Sequence, residues 1–204
     1  MIVPGFCKIE GFVKIHNPIT GEVLVDKKNA IHYENISIAM AQTLSDRTAI
    51  QGGGWIYSMA FGNGGSSVDP TGVITYLPPN TTGQNADLYN ETYVKVVDDN
   101  SAANSDPSNN KMQVLHTSGK PYTDILVTCL LDYGEPAGQQ AFDNSTNFNG
   151  EYVFDELGLK CWNGEAPLRL ITHVIFHPVQ KSLNRQIQID YTLRIQTLTN
   201  LSVA

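Results

Sequence analysis

The chain has 204 residues, and its 20 acidic residues against 13 lysines and arginines give a net charge of −7 at pH 7. Charged residues make up only 16% of the chain, well below the roughly 25% of ordinary soluble domains. The acidic balance argues against a nucleic-acid partner, because basic side chains that neutralise phosphates supply most of such affinity. The longest apolar run, around 125–131, is far shorter than the ~20 residues of a membrane span. We therefore expect neither nucleic acid nor a membrane as partner.

The first segments of the chain predict an arm followed by a hairpin. Residues 1–10 contain proline and glycine and are expected to form an N-terminal arm or an edge strand; they lack the pattern of a secretory signal. Residues 11–26 alternate apolar and polar side chains on both sides of Asn17-Pro18-Ile19-Thr20-Gly21. This turn chemistry between two period-two segments predicts a β-hairpin.

One segment has helical spacing. Between Glu34 and Ser45, the apolar residues Ile36, Met40 and Leu44 recur every four positions and predict a short helix. The rest of the chain favours strands separated by three long polar loops, at 62–87, 98–111 and 134–151, which are expected to be contact surfaces because long loops are often functional. Strands are predicted at 55–61, 88–97, 112–116, 124–133, 152–159, 168–177 and 186–197.

These elements predict the fold class. In the last strand every second residue from Ile187 to Ile195 is apolar, so one of its faces meets a core. The whole is expected to be a mainly β protein, an antiparallel β-sandwich or jelly-roll-like domain with one short α-helix near the N-terminus. The predicted organisation is an N-terminal arm at 1–10 and a single β-rich domain at 11–204.

Two groups of residues resemble metal ligands but lack the required pattern. His173 and His177 are four apart on a predicted strand, about 13 Å from each other, which is too far to share one ion. Asp98, Asp99 and Asp106 share one loop, but their spacing does not match a calcium-binding loop. We therefore predict no metal site.

The chain also lacks the motifs of the common catalytic and cofactor sites. Gly62-Asn63-Gly64-Gly65 is not followed by the Lys and hydroxyl of a phosphate loop, and no Gly-x-Ser-x-Gly elbow occurs. Asp155 and Glu156 are neighbours on a predicted strand, so their side chains are expected to point to opposite faces. We predict no catalytic and no cofactor-binding residue, and hence no enzyme.

The three cysteines, Cys7, Cys129 and Cys161, are odd in number and have no Cys-x-x-Cys spacing. A disulfide framework and a zinc site are therefore not expected. Cys129 lies in an apolar strand, where burial is expected to raise the pKa of a thiol and leave it inert. We expect free thiols made in a reducing cytoplasm.

Three segments in a fixed order carry a family resemblance. They are the hairpin at 17–31, the segment Met59 to Ser67, and Phe154 to Leu159 with the alternating strands that follow it to Thr197. In this order the chain resembles the small β-rich structural proteins of tailed bacteriophage particles. The resemblance implies a virion component, assembled in the host cytoplasm, that works without catalysis by packing against other phage structural proteins and copies of itself. It transfers no site residue.

The resemblance leaves the position in the particle open. The leading hypothesis is a part of the neck, tail or baseplate; the second is a capsid decoration protein on the head surface. A third is a receptor- or glycan-binding module of a tail fibre, in which Trp55, Tyr57 and Trp162 would stack on sugar. An enzyme such as a glycan depolymerase ranks below these, because no pair of catalytic acids is apparent.

Overall fold

The computed structural model describes residues 6–45, 55–137, 153–162 and 168–198. Its one helix in these ranges is α1, Tyr33–Ser45. Twelve strands, β1 to β12, complete the described part of the chain. Their bounds are Phe6–His16, Val23–Ile31, Ile56–Gly62, Ser66–Val68, Ile74–Tyr76, Glu91–Val96, Lys111–His116, Tyr122–Leu131, Val153–Cys161, Arg169–Leu170, Thr172–Gln180 and Ile187–Leu198.

Ten of these strands form one antiparallel sheet that curls around the core. The strand order is β6-β3-β9-β11-β2-β1-β12-β8-β7, and β10 pairs with β9. The two remaining strands, β4 and β5, make a separate hairpin inside the segment 62–87, which was predicted to be a long polar loop. The prediction of a mainly antiparallel β protein with one helix near its start is confirmed, whereas a sandwich or jelly roll stays a prediction.

An arm or an edge strand was predicted for the beginning of the chain, and its described residues form a strand. Phe6 to Glu10 form the first half of β1, and they pair in register with β12 from Leu198 to Arg194. The reason is burial, because Ile9 lies in the core in the same period-two row as Val13 and Ile15. Residues 1–5 lie outside the described residues.

The core lies inside the curl, and β12 shows how it is built. The alternate residues Ile187, Ile189, Tyr191 and Leu193 are buried in it, as the sequence alternation predicts. Strand β9 differs because it is buried along its whole length on both faces. One face belongs to the core, and the other is covered by the loop that joins β3 to β6.

A buried polar network ties four strands together inside the core. The Asn29 amide on β2 donates a hydrogen bond to the Tyr191 hydroxyl on β12, which is also bonded to the side chain of Thr172 on β11. Thr172 Oγ1 in turn accepts a hydrogen bond of 2.9 Å from the backbone N–H of Leu159 on β9. The Asn29 amide reaches Tyr191 because Gly11 has no side chain, and a Cβ at that position would collide with it.

Backbone crowds closely around Gly158, where β9 passes β10 and β11. A Cβ there would lie against the Thr172 carbonyl oxygen and 2.6 Å from Cδ1 of Leu170. We predict that Gly158→Ala lowers the free energy of unfolding by about 2–3 kcal/mol, because the buried surroundings have no room to move aside. The measurement is the midpoint of urea unfolding at constant slope.

The matched control for this prediction is Gly134→Ala. A Cβ at Gly134 would meet no atom within 4 Å, so a change within about 0.5 kcal/mol is expected. Equal destabilisation by the two substitutions would contradict the role assigned to Gly158.

Candidate functional site: a loop platform on β9 and β11

The segment 62–90 between β3 and β6 forms a layer on the outer face of the sheet, and we call it the platform. It contains the β4–β5 hairpin and covers β9 and β11 on the side away from the core. Beneath it lies a second buried apolar cluster of Ala60, Leu88 and Leu170, separate from the main core. Segments of this length without a full sheet or helix of their own are often functional.

Glu156 on β9 is fully buried and makes four hydrogen bonds, three of them to the platform and one to β11. Its Oε1 accepts from the backbone N–H groups of Gly64 at 3.0 Å and Asn90 at 2.8 Å. Its Oε2 accepts from the backbone N–H of Tyr89 at 2.9 Å and is 2.9 Å from Nε2 of His173. One carboxylate thus fixes both ends of the platform to β9, a strand with neighbours on both sides.

The hydrogen bonds keep Glu156 ionised despite its burial. Burial acts to raise the pKa of this carboxyl, but the bonds from His173 and from the backbone of Asn90, Tyr89 and Gly64 outweigh it, so the pKa is lowered. Each of these groups donates a hydrogen bond to the ionised carboxylate and so stabilises the ionised form in the folded protein.

His173 on β11 extends this contact to a third point of the platform. Its Nδ1 lies 2.8 Å from the backbone nitrogen of Asn80. Because that nitrogen is a donor, Nδ1 must accept, and the ring proton must sit on Nε2, where it donates to Glu156. The neutral imidazole is thus fully hydrogen-bonded, with the Tyr89 ring 5.7 Å away.

Asp155 holds the same loop from the neighbouring position. Its Oδ1 accepts from the Gly65 backbone N–H at 2.9 Å, and its Oδ2 accepts from the Ser66 backbone N–H at 2.7 Å and hydroxyl at 2.5 Å. Burial, helped by the charge of Glu156, raises the pKa of Asp155 in spite of these bonds. The two neighbouring carboxylates bind the same loop, but the pKa of Asp155 is raised and the pKa of Glu156 is lowered.

The expectation that these two side chains point to opposite faces is wrong, because the strand pairing is irregular at this point. Glu156 pairs with Ile175 of β11 and Phe154 pairs with Val179, so Asp155 alone lies opposite three residues of β11. Phe154 and Leu157, three residues apart, both lie in the core. On a regular strand they would face opposite sides, so the two residues between them share the outer face.

Three further contacts anchor the rest of the platform. Lys160 on β9 forms an ion pair of 2.9 Å with Asp87. His32, just before α1, lies 2.8 Å from the Gly83 carbonyl oxygen through Nε2. Asn35 donates to the Gln84 carbonyl oxygen at 3.4 Å and to the Leu170 carbonyl oxygen at 2.7 Å.

His32 also begins the helix that supports this end of the platform. Its Nδ1 accepts from the backbone N–H of Asn35 at 3.3 Å, in the manner of an N-cap residue. Sequence reasoning missed these anchors, because histidine is not a preferred N-cap residue and no capping-box pattern marks this helix start.

The outward side of the platform presents apolar side chains on this fixed support. Asp69 shapes the tip of the β4–β5 hairpin by accepting from the backbone N–H groups of Thr71 at 2.7 Å and Val73 at 3.0 Å. Tyr76 is fixed by its hydroxyl, 3.1 Å from Nδ1 of His177. The exposed apolar residues are Val68, Val73, Tyr76, Leu77 and Tyr89. Such a surface loses little conformational entropy when a partner binds.

The structure separates the residues that resembled metal ligands. His173 is buried against Glu156, whereas His177 is exposed on the same strand. Asp98 and Asp106 accept hydrogen bonds from their own loop, at the backbone N–H groups of Asn100 and Asn109. Within the described ranges, no three His, Cys, Asp or Glu side chains are grouped so that they could hold a metal ion.

The remaining candidates are the three cysteines and the aromatic residues Trp55, Tyr57 and Trp162. Cys129 is fully buried in the core, and burial raises the pKa of its thiol to about 12, as the sequence predicts. Cys161 is buried and Cys7 is exposed, and all three thiols are free. Trp162 packs on Tyr57 with 5.1 Å between ring centroids, and its backbone N–H donates to the Trp55 carbonyl oxygen at 2.8 Å.

Comparisons with known proteins identify no relative. No protein-family model matches the chain, and neither does any curated protein or solved structure. In the described part of the chain, no helix has the length and apolar character needed to cross a membrane.

We predict that Glu156→Gln lowers the free energy of unfolding by about 2–4 kcal/mol at neutral pH. The amide places an N–H₂ group where a carboxylate oxygen now accepts two hydrogen bonds, so buried donors lose their acceptor. Urea unfolding measures the difference. Glu22→Gln is the control, because the Glu22 side chain is 60% exposed.

The difference in unfolding free energy between the unmodified chain and Glu156→Gln should also depend on pH. The folded-state pKa of Glu156 lies below its ordinary value of 4.5, so the unfolded chain binds more protons between those two values. This stabilisation is complete above pH 4.5 and is lost as the pH falls through the folded-state pKa. The gap between the unmodified chain and Glu156→Gln should therefore narrow in acid; a gap independent of pH would contradict the ionised state.

Proposed function

We propose that this chain is a non-enzymatic structural protein of a tailed-bacteriophage particle that acts by subunit packing at the neck, tail or baseplate. The observation that carries the proposal is the platform. Buried carboxylates fix a long loop whose outward side chains, including Val73 and Tyr76, are apolar and exposed. A rigid apolar surface of this kind suits permanent contact with other subunits.

Two further features support an assembly role. The hairpin, the glycine-rich turn after β3 and the strand β9 are the segments by which the chain resembles phage structural proteins. The curled sheet has β6 and β7 at its two ends. Exposed strand edges of this kind can pair with neighbouring subunits in symmetric assemblies. The sandwich or jelly-roll arrangement belongs to the same proposal, since two packed layers are a common way to build such modules.

One observation favours a second candidate, a glycan-binding module. Trp55, Tyr57 and Trp162 lie together at one end of β3, and Trp55 is 36% exposed. Aromatic faces of this type stack on sugars, and loss of binding to a glycan array in Trp162→Ala would promote this candidate. The packing of Trp162 on Tyr57 favours a structural role instead.

The proposal is tested by quantitative mass spectrometry of particles of the phage that encodes this chain. We expect the chain in the particle at a small fraction of the abundance of the major capsid protein. Near-equal abundance would support the decoration protein and contradict a neck, tail or baseplate position. Absence from the particles would contradict the proposal as a whole.

We further predict that the platform contributes to incorporation. Val73→Lys places a charge on an apolar side chain that is 59% exposed, so stability should change by no more than about 0.5 kcal/mol, while fewer copies enter the particle. Ile19→Lys is the matched control, because Ile19 is 66% exposed in the β1–β2 turn away from the platform. Equal incorporation of the two variants would contradict a role for the platform.

A further inference from the structure

Strand β7 forms one edge of the sheet. It pairs with β8 on one side, and no strand among the described residues pairs with its other side. Val114 is 72% and Leu115 48% exposed. Soluble proteins usually protect such an edge with proline, a bulge or inward charges, whereas Lys111–His116 contains no proline and pairs with β8 without a register shift.

The two faces of β7 differ in chemistry. Met112 and Val114 stand opposite Val127 and Ile125 of β8, on the face that continues into the core. Ile125 also lines an apolar cavity of about 90 Å³ under α1, so the apolar surface extends from this cavity to the sheet edge and stops at exposed Val114. Leu115 stands opposite Asp124 on the other face.

We propose that a second copy of the chain pairs with this edge, β7 against β7, antiparallel about a two-fold axis, with Gln113 opposite Gln113 of the second copy. The inference rests on the proposed function, because it names the partner with which the subunit packs. Antiparallel neighbours share a face, so only registers that pair positions of the same parity keep the core face continuous. In this register Val114 of each copy lies opposite Met112 of the other, and the apolar surface continues across the axis.

Charge supports the same register. On the outer face, β-pairing places Glu10, Arg194, Asp124 and Leu115 in one row, and Arg194 contacts Asp124 at 2.7 Å. The next position in the row is Lys111 of the second copy. Its methylene stem covers exposed Leu115 and its ammonium group extends the alternation of charges toward Asp124.

Disulfide trapping tests the register. In a Cys7→Ser background, Gln113→Cys should give a disulfide-linked dimer under mild oxidation, since residues directly opposite in an antiparallel pair have Cα atoms about 4.5–5.5 Å apart. Leu115→Cys is the matched control, because the two copies of that position lie about 13 Å apart along the strands. No dimer from Gln113→Cys, or equal cross-linking of both variants, would overturn the proposal.

The mass in solution tests the edge without cross-linking. By sedimentation at high protein concentration, the unmodified chain and Ile19→Lys should form dimers, and Val114→Lys should remain a monomer. A monomeric unmodified chain would overturn the inference. The two proposals fail separately, because absence from particles counts against the virion role, whereas failure of Gln113→Cys to cross-link a chain that is present in particles counts against the β7 pairing alone.

Discussion

The charge of Glu156, buried away from water, determines how the outer half of this protein is built. A carboxylate in that position is tolerated only when hydrogen-bond donors surround it. The nearest donors are backbone N–H groups of the platform, at Gly64, Tyr89 and Asn90, together with His173. The loop must therefore keep one conformation, because any other leaves the charge without donors and the N–H groups without an acceptor.

This constraint acts through the position of β9 inside the sheet. The strand lies between β3 and β11, with the core on one face and the platform on the other. Where the register with β11 shifts, two successive carboxylates of β9 bind the same loop, while Phe154 and Leu157 keep their places in the core. The sheet thus transmits its rigidity to a segment that contains only a two-stranded hairpin of its own, which is what a fixed binding surface requires.

Local patterns in the sequence were sufficient to predict the elements whose structure depends least on their neighbours in the fold. The alternation from Ile187 to Ile195 and the turn at 17–21 each predict their structure, since burial of one face and backbone preference decide them. Strand order is different, because β2 pairs with β11 through contacts that no local pattern encodes. The prediction for the site was wrong for the same reason. The sequence shows that Asp155 and Glu156 are neighbours, but the faces to which their side chains point depend on a register shift against β11.

The platform and the β7 edge would recognise partners by different physics. A strand edge binds through main-chain groups that every sequence has. Its selectivity therefore depends on the side chains that lie opposite each other in the paired strands, here Met112 and Val114. The platform offers side chains on a backbone that is already ordered, so its selectivity comes from shape and it loses little entropy on binding. A subunit with both surfaces can pair with its own kind along one edge and still present the opposite side of the sheet, above β9 and β11, to a different neighbour.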